Sequence, residues 1–225
     1  MIRRIYHGSS RIIKQPVFGT GNQHNDYGLG FYCTEQLELA LEWAVDWDRN
    51  GFANAYDIET EGLDILNLND GTHDELQWLA ILLENRTFDT ASALASEARE
   101  YILQHFLPNY RNRDIIVGYR ADDSYFAFAQ DFISGGISYR RLCRAMRLGK
   151  LGEQVVVVSQ AAFSRLVYVE SVPADSTRWL ESKTSRDQAA RHEYLDTERH
   201  RRQKGDLFVQ QIIDEEMIPG DPRLR

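Results

Sequence analysis

The stretch from Asp26 to Thr34 reads DYGLGFYCT, and the neighbouring chain is organised around it. Its two glycines allow a sharp turn and the close approach of a ligand to the backbone. The residues Phe31–Cys33 favour a short buried strand, and Thr34 suits the N-cap of a following helix. The pattern therefore predicts a turn, a strand and a helix in that order, with Tyr32 on a rigid element. It is not a dinucleotide-binding fingerprint, which needs a third glycine and a preceding strand.

Composition narrows the classes of function. The chain has 225 residues, 43% of them hydrophobic, and a net charge of −8. Such an acidic chain argues against non-specific binding to nucleic acid or to an anionic membrane. Cys33 and Cys143 are far apart and lack the spacing of metal ligands, so we expect no metal site and a reducing cytoplasm. The sequence shows no long apolar run, so we expect neither a signal peptide nor a membrane span.

Hydrophobic periodicity predicts a mixture of helices and strands in one domain. The predicted strands cover about 3–7, 31–33, 53–58, 63–68, 113–119, 153–158 and 166–172. The predicted helices cover about 35–48, 74–85, 91–106, 125–133 and 138–146. In the helix at 35–48, Trp47 lies at the edge of the apolar stripe and is expected to pack. Trp43 lies further round, where an aromatic ring either flanks a pocket or widens the packed face.

The last part of the chain differs in composition. Residues 173–225 are predicted to form a charged helical extension, because 178–204 is rich in charge and poor in apolar periodicity. The small apolar stripe Phe208, Ile212 and Ile213 suits docking on the body of the protein or on a partner. The sequence PGDP at 219–222 predicts a disordered end.

Three short pieces carry residues suited to chemistry. They are Tyr6-His7-Gly8-Ser9 after the first strand, Gly28–Tyr32 before a helix, and Glu153-Gln154 at the start of a late strand. A histidine at a strand end can hydrogen-bond a hydroxyl, and the neighbouring glycine exposes backbone groups to a flat amide. A tyrosine ring offers a stacking face, and a polar residue on the late strand can orient a sugar hydroxyl.

Each piece also has a purely structural explanation. His7 could be a satisfied structural histidine, Tyr32 a core aromatic and Glu153 an exposed charge at an edge. Neighbours along a strand point to opposite faces, so only one of Glu153 and Gln154 can enter a given site.

The order of these pieces resembles the ADP-ribosyltransferases of the diphtheria toxin and poly(ADP-ribose) polymerase type, whose signature is His, Tyr and Glu. More closely, the chain resembles an uncharacterised bacterial family within that superfamily. The resemblance covers about residues 2–169. Its matching stretches are 6–9, 27–34, 42–44, 114–118, 121–125 and 151–155.

The resemblance implies an α+β fold with an ADP-ribosyltransferase-like split β-sheet core, flanking helices and a helical C-terminal extension. It implies a domain over residues 1–172, followed by the extension at 173–225.

The resemblance also implies roles for single residues in binding NAD. His7 would hydrogen-bond a ribose hydroxyl, and the backbone of Gly8 would pair with the nicotinamide carboxamide, assisted by Ser9. Tyr32 would stack on the nicotinamide ring. Gly30 would allow the ligand to approach, and Trp43 would add a second aromatic surface.

The third signature residue stays open between Glu153 and Gln154. Glu153 would complete the His-Tyr-Glu set. Gln154 fits the register of the closer bacterial family and could still hydrogen-bond a ribose hydroxyl, although it carries no charge. With Gln154 in that place, transfer of a single ADP-ribose is the expected reaction, without chain elongation. Asp122 and Asp123 are expected to cap a helix or to face the site.

The leading expectation is an NAD-dependent mono-ADP-ribosyltransferase with NAD as its substrate. The alternatives are an NAD glycohydrolase and a non-catalytic module that binds NAD or a partner. The bacterial resemblance suggests a toxin or effector in the cytoplasm, with a neutralising antitoxin as a partner. The acceptor of ADP-ribose is open among protein, nucleic acid and small molecule, and no membrane partner is expected.

Overall fold

The structure, a computed structural model, describes residues 1–121, 123–148, 152–198 and 203–224. The chain divides into two compact units. The first, called the sheet unit here, comprises Met1–Asn67, Asn109–Gly118 and Leu151–Arg186. The second, called the helical unit, comprises Leu68–Pro108, Tyr119–Lys150 and Asp187–Arg225. The predicted α+β class is confirmed, because the protein combines helices with two β-sheets.

Two sheets are built from seven strands in the described residues. The strands are β1 (Ile2–Ser9), β2 (Phe31–Cys33), β3 (Gly51–Glu59), β4 (Ile65–Asn67), β5 (Ile115–Tyr119), β6 (Glu153–Val157) and β7 (Leu166–Ala174). The first sheet has the order β1-β3-β7 with antiparallel pairs, and the second has the order β2-β6-β5-β4. β2 pairs antiparallel with β6, whereas β4 pairs parallel with β5.

Most of the helices begin within a few residues of their predicted starts. They are α1 (Leu37–Ala44), α2 (Glu75–Asn85), α3 (Ala93–Phe106), α4 (Asp123–Ile133), α5 (Tyr139–Ala145), α6 (Gln160–Phe163), α7 (Ser176–Glu193) and α8 (Val209–Asp214). A π-helical turn follows at Tyr194–Glu198 and a 3-10 turn at Pro222–Leu224. The sequence did not predict α6, a single turn whose N-cap Ser159 accepts a hydrogen bond from the Ala162 N–H at 3.0 Å.

The core of the sheet unit follows from the alternation of side chains along the strands. Ile5 on β1, Tyr56 and Ile58 on β3, and Val155 and Val157 on β6 are buried in one cluster. A second cluster packs α1 on the opposite face of the first sheet, around Ala40, Ala44, Ala53 and Ala174. Small residues on both sides let the helix approach the strands closely.

The helix predicted at 35–48 is shorter than expected. α1 ends at Ala44, because Val45 adopts an extended backbone and Asp46 and Arg49 exchange backbone hydrogen bonds in a tight turn. Trp47 lies in that turn and is 82% exposed, so the expectation that it packs is wrong.

The C-terminal residues of the chain pack on the rest of the helical unit. Ile212 of the predicted apolar stripe is buried in α8 together with Val209, whereas Phe208 and Ile213 are half-buried. The end of the chain is not disordered, because Leu224 is buried and its carbonyl accepts a hydrogen bond of 2.9 Å from the Tyr139 hydroxyl. Among the described residues, no helix combines the length and apolar character that crossing a membrane requires. The predicted domain boundary after residue 172 and the ADP-ribosyltransferase-like character of the core stay predictions.

Candidate functional site

Strands β1 and β2 meet at one residue pair and then part. Tyr6 and Thr34 exchange backbone hydrogen bonds of 2.8 and 2.9 Å. If the ladder continued, Gly8 would face Tyr32 two residues further on. Tyr32 pairs with Val156 of β6 at the other edge of β2, and on the β1 side its carbonyl oxygen lies 2.7 Å from His7 Nδ1. The His7 side chain thus stands where the next backbone donor of the ladder would be, and a gap opens between the strands.

The gap leaves the backbone of Gly8 available. Backbone groups alternate sides along a strand, so the N–H and C=O of Gly8 point to the same side as those of Tyr6, towards β2. Within the part of the chain that the structure describes, they have no backbone partner there. Gly8 is half-buried and therefore reachable. A donor and an acceptor side by side match a primary carboxamide, which offers the complementary pair.

The contacts of His7 fix its tautomer. A carbonyl oxygen only accepts, so Nδ1 carries the proton that is donated to Tyr32 O. In the neutral ring Nε2 is then an acceptor, suited to a hydroxyl. The ring also stacks on Phe31, with centroids 4.3 Å apart. Burial lowers the pKa of His7 below its usual value of 6.5, and the hydrogen bond to Tyr32 O opposes this only in part. The neutral ring is therefore the favoured form at pH 7.

This environment predicts the pH behaviour of His7. We expect the ring to titrate below pH 6.5, with Nδ1 protonated in the neutral form. NMR spectra of the ring nitrogens and of the carbon-bound ring protons measure both properties. Between the lowered folded pKa and 6.5 the unfolded chain binds more protons than the folded one. The free energy of unfolding should therefore fall as the pH is lowered through that window. The His7→Gln variant should lose this part of the pH dependence, and a folded-state pKa above 6.5 would contradict the assignment.

Tyr32 is held by the turn that precedes it. Its hydroxyl donates to the Gly28 carbonyl oxygen at 2.6 Å and accepts from the Tyr27 N–H at 3.1 Å. Gly28 has a φ of 75°, a backbone conformation that favours glycine. The prediction of a tight turn leading into a rigid Tyr32 is therefore confirmed in its geometry. A ring anchored at both ends is a fixed surface for stacking.

Trp43 lies directly over Gly8. A Cβ built on Gly8 would come within 2.3 Å of Ala40 O and 2.8 Å of Trp43 Cβ. Glycine at this position therefore lets α1 sit close to β1, and it brings a tryptophan next to the open backbone edge. Gly8 has a packing role in addition to its predicted role in binding.

The register of β6 separates the two candidates for the third signature position. Gln154 shares a strand face with Val156, the partner of Tyr32, whereas Glu153 lies on the other face and is exposed. Gln154 is 6% exposed, and within the described structure its Oε1 has no hydrogen-bond donor. A buried acceptor without a donor is costly, so this atom is suited to a ligand hydroxyl or amide.

Two further predicted residues, Ser9 and Gly30, belong to the sheet unit. Ser9 ends β1, and its Oγ accepts a weak hydrogen bond of 3.4 Å from the Arg11 N–H. Gly30 faces β6, since a Cβ there would lie 2.6 Å from Val156 Cγ1, and its predicted contact with a ligand stays a prediction. Asp122 lies outside the described residues. Asp123 is the first residue of α4, and its role stays a prediction.

Sequence reasoning missed two residues that shape the site. Phe31 stacks on His7, and Asn54 of β3 is fully buried and donates from Nδ2 to the His7 carbonyl oxygen at 3.3 Å. The signal for Asn54 was a lone amide between two alanines of β3, since a buried polar side chain implies hydrogen-bond partners. Among the described residues, no group of histidines, cysteines or carboxylates is placed to hold a metal ion.

Comparison with known proteins yields one match. A family model described as protein of unknown function (DUF3990) matches residues 3–168. No curated protein and no solved structure matches the chain.

Proposed function

This chain belongs to the family described as protein of unknown function (DUF3990), and from that premise we propose, on the geometry of the site, that it binds NAD and transfers ADP-ribose from it. The observation that carries the proposal is the open edge of Gly8 beside a neutral His7. The Gly8 N–H and C=O would pair with the nicotinamide carboxamide. His7 Nε2 would accept a hydrogen bond from a ribose hydroxyl.

The reaction follows from where charge develops. The bond between the ribose C1′ and the nicotinamide nitrogen breaks, and its electron pair leaves with nicotinamide, which becomes neutral. Positive charge then develops on the ribose, and a nucleophile of the acceptor forms the new bond to C1′ and releases a proton. A site that orients the ring and the ribose favours this step. The neutral amide of Gln154 suits a single transfer better than chain elongation.

Nicotinamide release from NAD tests the proposal. With candidate acceptors present, purified protein should release nicotinamide, and His7→Ala should reduce the rate by about a hundredfold. His192→Ala, which removes an exposed histidine of the helical unit, is the matched control and should leave the rate unchanged. Release that needs no added acceptor would favour the glycohydrolase alternative. NAD binding without release, in the presence of candidate acceptors, would favour a binding module.

A substitution at Gln154 separates stability from function. Gln154→Met removes the buried Oε1 at nearly constant volume, so the unliganded protein should gain about 1 kcal/mol in free energy of unfolding. Nicotinamide release should fall at least about tenfold, because the ligand loses an acceptor. Gln160→Met, at an exposed position on α6, should change neither quantity. A destabilised Gln154→Met protein with normal release would contradict the proposed role.

Several broader expectations rest on the resemblance alone. They are a toxin or effector role, a cytoplasmic location and a neutralising partner, and they stay predictions.

A further inference from the structure

The segment after β1 is fixed beside His7 by buried groups of β3. The Asn54 side chain donates from Nδ2 to Arg11 O at 3.2 Å as well as to His7 O, and its Oδ1 accepts from the Ile13 N–H at 3.0 Å. The Tyr56 hydroxyl donates to Ile13 O. Since one amide nitrogen holds the carbonyl oxygens of both His7 and Arg11, the segment 11–14 has a defined position next to the site.

This segment is basic, although the chain as a whole is acidic. Between Ser9 and Asn25 the sequence contains Arg11, Lys14 and His24 and no carboxylate, although the net charge of the chain is −8. Arg11 and Lys14 are exposed, and neither makes an ion pair with the described residues. Five other arginines of the sheet unit do. Their ion pairs are Arg3–Glu35, Arg4–Asp57, Arg49–Asp46, Arg113–Asp64 and Arg186–Glu42.

We propose that Arg11 and Lys14 bind the diphosphate of the dinucleotide, a role that rests on the proposed function of the site. The ribose beside His7 carries the diphosphate on its 5′ carbon, a short distance from the ring hydroxyls. The guanidinium of Arg11 can bind phosphate oxygens in a bidentate way, and Lys14 adds a point charge. Asn54 acts as a positioning residue, because it fixes the backbone from which both cations extend.

The proposal makes the ligand a diphosphate-containing nucleotide and not a nucleoside. It separates NAD from nicotinamide riboside, which has the same ring and ribose but no phosphate. It also predicts binding of ADP, which has the diphosphate but no nicotinamide. If Arg11 and Lys14 only kept the segment hydrated, they would not make the protein bind NAD, nicotinamide riboside and ADP with different affinities.

The test compares two charge-matched double variants by isothermal titration calorimetry with NAD, ADP and nicotinamide riboside. Arg11→Gln with Lys14→Gln removes the proposed contacts. Lys183→Gln with Lys204→Gln removes the same net charge at two positions outside the segment. The first variant should bind NAD and ADP about ten- to a hundredfold more weakly than wild type, and nicotinamide riboside equally well. The second should match wild type for all three ligands. The wild-type affinity for NAD should also fall more steeply with added salt than that of the first variant.

The outcomes separate this inference from the proposed function. If wild type binds NAD and both double variants bind it equally well, the diphosphate role is overturned while the proposed function stands. If wild type binds neither NAD nor nicotinamide riboside, the proposed function fails. In that case, ADP binding that is lost only in the first variant would still support a diphosphate site, and no ADP binding would overturn it.

Discussion

Tyr32→Ala is expected to lower nicotinamide release from NAD by about a hundredfold or more. The substitution removes the ring that is predicted to stack on nicotinamide. In the structure its hydroxyl holds the ring in place, because it donates to Gly28 O and accepts from the Tyr27 N–H. Without the ring, the nicotinamide would no longer be held against the open backbone edge of Gly8. The measurement is the initial rate of nicotinamide release at saturating and at limiting NAD.

Tyr32→Phe is the matched control for this prediction. It keeps the aromatic face and removes only the hydroxyl, so the rate should stay within a few-fold of wild type. Loss of the hydroxyl's hydrogen bonds with Gly28 O and Tyr27 N–H should cost about 1 kcal/mol in free energy of unfolding. Release that survives in a folded Tyr32→Ala protein would overturn the stacking role of this ring.

Gly51→Ala is expected to destabilise the protein by about 3 kcal/mol or more. A Cβ on Gly51 would lie 2.0 Å from Ala44 O and 2.8 Å from Ser9 O. Both atoms belong to the backbone, so neither can move aside without shifting the end of α1 or of β1. The free energy of unfolding, measured in urea, should fall by that amount, and any folded fraction should bind NAD more weakly because Ser9 moves.

Gly62→Ala controls for the intrinsic effect of replacing a glycine. Gly62 has a φ of 75° and open space around it, so alanine there should cost only about 1 kcal/mol from backbone strain. If the two variants were equally stable, close contact between α1 and the first sheet would not be the reason for glycine at position 51.

Local patterns predicted the elements of the fold well and their ends less well. The apolar run of β6 identified that strand, because burial on both faces imposes such a run. α1 ends early because a tight turn at 46–49 competes with helix propagation, and the helical periodicity continues past it. The ordered C-terminus depends on a hydrogen bond from Tyr139 to Leu224, 85 residues away, which no local pattern encodes.

The site was predictable in its residue types and not in its register. The sequence placed His7, Gly8 and Tyr32 on strands next to glycines, and the structure places them around one gap. It could not choose between Glu153 and Gln154, because the choice depends on which residue of β6 faces Tyr32. The role of Asn54 also depends on tertiary contacts, since all but one of its partners lie at least forty residues away in the sequence.

The hydrogen bond from His7 to the Tyr32 carbonyl makes this side chain a spacer between two strands. Hydrogen bonds between strands tend to propagate. Two neighbouring strands with unpaired backbone groups would therefore ordinarily pair with each other or with a foreign strand. Here an imidazole occupies the acceptor on β2 that Gly8 would otherwise use, which keeps the gap from closing and leaves one main-chain pair for an incoming molecule. Because the Tyr32 acceptor is already used, His7 also limits pairing with a foreign strand at this edge.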